Sequence, residues 1–261
     1  MTISWTVFSK PWPDLSAGEL GKKAADWGFD GIELPVREGF QVGPAEAERD
    51  LPVFAKTLSE HGVRIHSVAS STAESIFAAC AQAGVPMIRV MIPVGPAGYL
   101  AMESETRRWL DAVVPLCQRY GVRVGIQPHH GRFVSDAAGL RQLIEPYPSE
   151  CVAAVWDAAH NALAGQRPEY SLEILWSHLA MVNLKNVYYR RTNGFESDAE
   201  WTHYYTSGRQ GLADWGAIAR ILIGRSYQGP ICLTAEYTAR DKVDELIGPD
   251  LQYAKAFWES P

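Results

Sequence analysis

The sequence ICLTAEY at residues 231–237 is a short apolar run that ends abruptly in a carboxylate, Glu236. Three other short apolar runs also end in a polar side chain, and these side chains are Gln127, Asp157 and Asn183. Short, continuously apolar runs are typical of parallel strands that are buried on both faces. In a closed barrel of such strands the terminal side chains converge on one mouth, so these four residues are the first candidates for a site.

Outward from this stretch, eight predicted strands alternate with eight predicted helices. Eight strand–helix units in 261 residues match a (β/α)8 TIM barrel, which typically takes ~250 residues, better than an open doubly wound sheet. We therefore predict an α/β fold in which residues 1–261 form one TIM-barrel domain. The predicted strands are 3–8, 29–34, 63–68, 86–92, 122–127, 152–156, 180–184 and 231–235, and the predicted helices are 17–27, 44–61, 72–83, 103–120, 135–145, 169–177, 214–225 and 242–258.

Composition excludes several classes of function. The 24 basic and 30 acidic residues give a net charge of −6, and the absence of a basic run disfavours nucleic acid and anionic membranes as partners. Neither a glycine-rich dinucleotide motif nor a P-loop is present, so no nucleotide cofactor is expected. The N-terminus lacks a signal-peptide pattern and no apolar run approaches ~18 residues, which favours a cytoplasmic location without a membrane span.

Four stretches carry a family resemblance. They are WGFDGIEL at 27–34, DAAH at 157–160, NLKN at 183–186, and the glycine-containing segment 208–215 followed by a helix and Glu236. In this order they resemble the second-strand signature, the Asp-x-x-His, the His-x-Lys-Asp and the closing loop, helix and glutamate of the xylose isomerase-like TIM barrels. The resemblance spans essentially the whole chain, and it implies a sugar phosphate isomerase or epimerase.

The resemblance also implies one divalent metal ion, held by a glutamate, an aspartate, a histidine and a glutamate at strands five to eight. By position these ligands are Gln127, Asp157, Asn183 and Glu236, of which only Asp157 and Glu236 keep the family residue types. The carbonyl oxygens of Gln127 and Asn183 can still coordinate a hard cation, so Mg²⁺ or Mn²⁺ is favoured over Zn²⁺, with reduced affinity. Asn186 likewise stands where the family has an aspartate.

The altered ligands change the expected chemistry. The resembling epimerases use two metal-bound glutamates on opposite faces of the substrate, but the amide of Gln127 cannot accept a proton at useful pH. Glu236 remains as the general base, and His129, His160 or Lys185 are candidate acids. Either histidine could also supply a nitrogen ligand to the metal. We therefore predict proton abstraction next to the carbonyl of a sugar or polyol, with isomerisation or epimerisation as the outcome and a lyase or dehydratase as the alternative.

Five further residues are candidate substrate contacts, and most have a plain structural alternative as well. A glutamate at a strand end can simply bond to the backbone, a histidine within a strand is often a core residue, and loop arginines are often solvated. The polar segment 188–210 is predicted to be a long loop that serves as a lid or as a contact in a homo-oligomer. Because two ligand positions are altered, an alternative function stays open: the chain could be a barrel that binds a sugar without a metal, or a pseudoenzyme. The five candidates are Glu33, His66, His129, Arg190 and Arg191.

Overall fold

The computed structural model describes residues 3–259 of the chain. In this part of the chain the strands are β1 (Ser4–Phe8), β2 (Gly31–Pro35), β3 (Arg64–Ala69), β4 (Met87–Val90), β5 (Arg123–Ile126), β6 (Val152–Asp157), β7 (Leu179–Leu184), β8 (Asn186–Arg191), β9 (Trp201–Thr206) and β10 (Pro230–Leu233). The α-helices are α1 (Ala17–Trp27), α2 (Ala47–Ser59), α3 (Glu74–Ala83), α4 (Tyr99–Tyr120), α5 (Ala137–Ile144), α6 (Ala158–Leu163), α7 (Pro168–Leu175), α8 (Trp215–Gly224) and α9 (Val243–Glu259).

Eight of the strands close into a parallel barrel in the order β1-β10-β7-β6-β5-β4-β3-β2. The closure is made by β1, which pairs in parallel with both β2 and β10. Helices cover the outside of the barrel, and the main apolar core lies between them and the strands. The predicted (β/α)8 fold is therefore confirmed, and each predicted strand has a counterpart in the barrel. Within residues 3–259, no helix combines the length and the apolarity needed to cross a membrane.

Local capping chemistry sets where the helices begin and end. The first helix begins with a capping box in which Ser16 and Glu19 bond reciprocally to backbone N–H groups, and it ends at Gly28 with a φ of 88°. Glycine suits that position because it adopts the left-handed region without a Cβ clash. The helix predicted over residues 135–145 has Ser135 as its expected N-cap, and this expectation is wrong by one residue. Asp136 caps α5, since its carboxylate accepts a backbone N–H of the first turn.

Side chains inside the barrel form an apolar layer and, beyond it, a polar layer. Buried apolar residues from six different strands contact one another, which is geometrically feasible only in the barrel interior. Successive inward residues of a strand are two positions apart, so the next inward residue belongs to the polar layer near the carboxyl ends. The pairs of apolar and polar residues are Met87 and Arg89, Val155 and Asp157, Met181 and Asn183, and Cys232 and Thr234.

The predicted loop over residues 188–210 is wrong, because most of this segment is a two-stranded antiparallel hairpin formed by β8 and β9. Tyr188 and Tyr204 lie opposite each other in the register, with ring centroids 5.1 Å apart. Aromatic cross-strand pairs of this kind stabilise a hairpin. The polar tips of tyrosine, histidine and arginine hide this strand propensity when the sequence is read for apolar runs.

Asn186 holds the segment between β9 and α8 in place. Its amide donates to the carbonyls of Gly208 and Ala213, both at 2.8 Å, and its carbonyl accepts from the N–H groups of Val187 and Ala213. All four bonds are buried. Asn186, which stands where the family has an aspartate, therefore has a structural role that needs both a hydrogen-bond donor and an acceptor.

We expect Asn186→Asp to lower the free energy of unfolding by about 3 kcal/mol, because a carboxylate cannot donate to the two carbonyls and would be buried against them. Urea unfolding of the two proteins measures the difference. Gln118→Glu introduces the same charge at an exposed position of α4 and should change stability by less than about 0.5 kcal/mol. Equal effects of the two substitutions would contradict the structural role of Asn186.

Candidate active site

The polar layer at the carboxyl end of the barrel brings together the four residues at which the apolar runs end. Gln127, Asp157 and Asn183 are buried, whereas the side chain of Glu236 is 28% exposed. Gln127, Asn183 and Glu236 line a small pocket of about 90 Å³ at the barrel mouth. Asp157 lies against this lining, where it accepts a 2.7 Å hydrogen bond from the amide of Gln127.

Lys185 lies at the centre of this layer, and its side chain is only 6% exposed. Its ammonium nitrogen is 2.9 Å from Oε2 of Glu236, 2.9 Å from Nε2 of His160 and 3.6 Å from Oδ2 of Asp157. Burial by itself would lower the pKa of Lys185, but the carboxylates of Asp157 and Glu236 outweigh burial and raise that pKa. A lysine whose pKa is raised is unsuited to Schiff-base chemistry, which needs the free amine.

Glu236 is held by two ammonium groups, with Lys10 2.9 Å from Oε1 and Lys185 2.9 Å from Oε2. Burial would raise the pKa of Glu236, but Lys185 and Lys10 hold it well below its usual range, so the carboxylate is ionised at ordinary pH. The preceding residue, Ala235, has a φ of 52°. This left-handed conformation costs about 1 kcal/mol for a residue with a Cβ, and such strain is often found at functional sites.

Arg89 is a second buried cation and links two residues from the sequence prediction. Its Nε donates to Glu33 at 2.7 Å, and its Nη1 donates to the carbonyl oxygen of Gln127. Glu33 is fully buried and also accepts from the hydroxyl of Ser67. Glu33 therefore forms an interior ion pair beneath the pocket and is not among the residues that line it.

Three histidine rings pack together beside the pocket. Nδ1 of His130 is 2.8 Å from Nδ1 of His160, and Nδ1 of His129 is 2.8 Å from the carbonyl oxygen of His130. The ammonium of Lys185 can only donate, so Nε2 of His160 accepts from it. In the neutral ring Nδ1 of His160 then carries the hydrogen and donates to Nδ1 of His130. Burial, together with neighbouring positive charge, lowers the pKa of all three rings, that of His130 to about 4. They are neutral at pH 7.

We expect the folded state to lose stability as the pH falls from about 6.5 toward about 4. The pKa of His130 is about 4 in the folded chain against the ordinary 6.5, so over this range the unfolded chain binds more protons and stability decreases with falling pH. Thermal unfolding between pH 7.5 and 4.5 measures the effect, and each kcal/mol lowers Tm by roughly 2–4 °C. His130→Asn should make the fall shallower, whereas His61→Asn at an exposed position should not. An unchanged slope in His130→Asn would contradict the prediction.

Three predicted substrate contacts lie away from the pocket. His66 is the extra residue in an irregularity between β2 and β3 and faces a surface cleft beside α2 and α3. Arg191 donates to the carbonyl of Gly194 in the hairpin turn. Arg190 is exposed, with its guanidinium 6.0 Å from the ring centroid of Tyr204. By contrast, His129, His160 and Lys185 all line the pocket, as the sequence predicts for residues of the mouth.

Sequence reasoning missed four charged or polar residues that line the same pocket: Lys10, Arg37, Arg89 and Thr234. The first two lie two positions beyond the ends of β1 and β2, in loops where a cation is usually solvated. Arg89 interrupts an apolar strand, which is a signal for a buried ion pair because a lone charge is rarely left in a core. Thr234 lies two positions before Glu236, and the period of a strand could have identified it.

Two buried oxygen atoms in the pocket lining are left without a hydrogen-bond partner. They are Oδ1 of Asn183 and Oγ1 of Thr234, for which residues 3–259 supply no donor or acceptor. An unsatisfied buried polar group costs roughly 1–3 kcal/mol. Both atoms are closed off from the pocket, so a ligand hydroxyl would recover this free energy only after the side chains turn towards it.

The predicted metal ligands do not fit a divalent ion in this arrangement. Asp157 and Glu236 both face the ammonium of Lys185, and the carbonyl oxygen of Gln127 accepts from Arg89. Among the four predicted ligands, only Asn183 has a side-chain oxygen with no partner in the described chain. A dication between the carboxylates would lie against the ammonium, and like charges at such short range repel strongly in a buried site.

A different set of donors could hold a metal ion. Nitrogen atoms of His129, His130 and His160 lie within 4.8 Å of one another, and imidazole suits Zn²⁺ and other transition metals. Both ring nitrogens of His160 are already bonded, one to His130 and one to Lys185. Binding through His160 would therefore require it to give up one of these bonds.

Comparisons with known proteins agree with the barrel. A family model for the xylose isomerase-like TIM barrel matches residues 22–257. The solved 3-keto-D-glucoside 4-epimerase YcjR of E. coli is 14% identical with a TM-score of 0.75, over 98% of this chain and 100% of that one. The probable 3-DHS dehydratase AsbF of Bacillus anthracis is 14% identical with a TM-score of 0.70, over 96% and 99%. The D-psicose 3-epimerase of Clostridium cellulolyticum H10 is 10% identical with a TM-score of 0.72, over 98% and 99%.

These structural likenesses are far below the identity at which activity can be transferred, and they show the fold alone. No curated protein sequence matches the chain. The chemistry has to be argued from the pocket itself.

Proposed function

Since the chain belongs to the xylose isomerase-like TIM-barrel family, we propose that it is an isomerase or epimerase acting on a sugar or polyol derivative. Glu236 removes a proton from the carbon next to a carbonyl group, and the proton is returned to form the product. The proposed site residues are those that line the pocket, together with Asp157, which holds Lys185 and Gln127 in place.

The observation that carries this proposal is the set of groups that face the pocket. Glu236 presents a partly exposed carboxylate, which can accept a proton. Asn183 and Thr234 line the same pocket, and each has a buried oxygen atom without a partner in the described chain, which the hydroxyl group of a sugar would bond once the side chain turns towards it. Lys185 presents an ammonium group beside the base, where it can bond the carbonyl oxygen of a substrate.

The electrostatics of the pocket favour an enolate. Lys185 and Lys10 lower the pKa of Glu236, which makes it a weaker base. The same ammonium groups stabilise the negative charge that develops on the carbonyl oxygen as the proton leaves, and this kind of stabilisation is often the largest catalytic effect. His129, which is neutral at pH 7, can carry a proton between substrate oxygens, as an aldose–ketose exchange requires. His160 would have to give up its bond to His130 or to Lys185 to do the same.

The shape of the cavity supports a substrate that is longer than its reacting end. A larger cavity of about 460 Å³ adjoins the pocket, and the two share Arg37, Arg89 and Met91 in their linings. Its far side is formed by apolar residues such as Ile92 and Trp109. The reacting end of the substrate would occupy the small polar pocket, and the remainder would extend past Arg37.

A lyase or dehydratase is the second candidate, and Gln127 favours it. Its amide carbonyl is bonded to Arg89 and its NH2 group to Asp157, so it cannot return a proton to the opposite face of a substrate. Elimination of water needs one base and one acid on a leaving hydroxyl group, which Glu236 and a neighbouring imidazole could provide.

Proton exchange in D2O tests both candidates. Ketoses, keto-inositols and 3-keto-sugars are incubated with the protein and followed by NMR. Deuterium at the carbon next to the carbonyl, with a new stereoisomer or a shifted carbonyl, supports the isomerase or epimerase. Loss of water with formation of a conjugated ketone supports the dehydratase. A ligand that binds without exchange or turnover would contradict both and indicate a sugar-binding barrel.

A further inference from the structure

We infer that this barrel is built around the ammonium group of Lys185 and not around a divalent metal ion, because Gln127 and Asn183 stand at two of the family's ligand positions, and that removing the ammonium group would create a metal site. The surrounding carboxylates and amides would then be organised around a side-chain cation. This goes beyond the proposed reaction, because it concerns which cation the site is built to hold.

The contacts of Lys185 are those expected of a central cation. Its nitrogen lies 2.9 Å from Glu236 and 3.6 Å from Asp157, and it also contacts His160 at 2.9 Å. Ligand oxygens of Mg²⁺ lie at about 2.0–2.1 Å, so an ion bonded to both carboxylates would need the space that the ammonium occupies. The carboxylates converge on a point that is already filled.

Charge balance leads to the same conclusion. Each buried or partly buried carboxylate of the polar layer already has a cation within ion-pair distance. A dication would add two positive charges to a cluster in which three cations already face three carboxylates, and two of those cations are buried. The carboxylates are Glu33, Asp157 and Glu236, and the cations are Lys10, Arg89 and Lys185.

The two substitutions at the family's ligand positions suit a cluster without a metal. Gln127 donates from its amide to Asp157 at 2.7 Å, which a glutamate could not do. A glutamate there would place a second carboxylate against Asp157, and a dication between them would be needed to offset the repulsion. Asn183 replaces an imidazole ligand with an amide whose oxygen is buried and has no partner in residues 3–259.

Binding of Mn²⁺, followed by the electron paramagnetic resonance signal of the free ion, tests this directly. We compare the unaltered protein with Lys185→Met and Lys10→Met, since Lys10 contacts the same carboxylate of Glu236 but is largely exposed. The expected result is one equivalent of Mn²⁺ bound by Lys185→Met and at least tenfold weaker binding by the other two proteins. Because the readout is bound Mn²⁺, failure of the proposed reaction would leave the result unaffected.

Three outcomes would overturn the inference. The first is one equivalent bound by the unaltered protein and lost in Asp157→Asn. The second is no Mn²⁺ bound by a folded Lys185→Met or Lys185→Gln, where circular dichroism confirms folding and Gln serves if Met does not fold. The third is equal binding by the Lys185 and Lys10 variants, since the effect would then be a general loss of charge.

Rebuilding the family ligands with Gln127→Glu and Asn183→His in Lys185→Met should tighten Mn²⁺ binding at least tenfold further.

Discussion

Glu236→Gln is expected to lower kcat/KM by roughly 10²–10⁴-fold on any substrate found in the screen, the range that a positioned general base contributes. The amide keeps the size of the side chain but cannot accept a proton at useful pH. Steady-state kinetics gives the loss in turnover, and deuterium exchange next to the carbonyl shows whether the proton-abstraction step itself has slowed.

The matched control for this prediction is Glu245→Gln, which makes the same chemical change on the exposed partner of Lys242 and should leave kcat/KM within about twofold, as expected for a surface position. The Glu236 variant also removes an ion-pair partner of two lysines, so its thermal unfolding has to be checked beside its kinetics. Retention of full turnover and exchange by a folded Glu236→Gln would transfer the role of base to a histidine of the pocket.

Arg89→Met is expected to lower the free energy of unfolding by about 3–5 kcal/mol, as breaking one side of a buried ion pair usually does. Glu33 is fully buried, its Oε2 has no partner within residues 3–259, and its Oε1 would keep only the hydroxyl of Ser67. An uncompensated carboxylate would therefore remain inside the barrel. Chemical denaturation measures the loss.

A double-mutant cycle with Glu33→Gln separates the ion pair from general packing. Removing the charge of Glu33 in the Arg89→Met background should recover roughly 2 kcal/mol or more, because the stranded carboxylate causes most of the cost. Arg119→Met breaks a similarly short ion pair with Glu74, but both side chains are exposed, and the expected loss is about 0–1 kcal/mol. A cost below about 1 kcal/mol for Arg89→Met would show that the interior pair is not needed.

The barrel could be predicted from sequence because its signals are local. Short apolar runs mark buried strands, and residues such as Ser16 and Gly28 mark helix ends through bonds to nearby backbone groups. The position of the barrel mouth can be predicted from topology alone, since the carboxyl ends of parallel strands meet on one side. That is why the sequence alone predicts that Gln127, Asp157, Asn183 and Glu236 lie together.

The cations of the site could not be placed in this way. The ammonium of Lys185 reaches Glu236, 51 positions away, and Arg89 reaches Glu33, 56 positions away. The partners of such long, flexible side chains depend on the closed barrel and not on the neighbouring sequence. The hairpin of β8 and β9 was missed for another reason, because its cross-strand pairs are amphipathic aromatics rather than an apolar alternation.

This hairpin also determines which side of the barrel mouth is covered. It rises from the end of β7 and covers that side of the mouth, with His203 4.4 Å from the ring of His130 and Tyr205 5.2 Å from the ammonium of Lys185. In the barrel order, β3 stands diametrically opposite β7, and the larger cavity opens on that side beside Arg37. Arg37 lines both cavities, so a molecule that enters by the larger cavity meets a guanidinium group before the ammonium, and this positive charge favours molecules that bear negative charge.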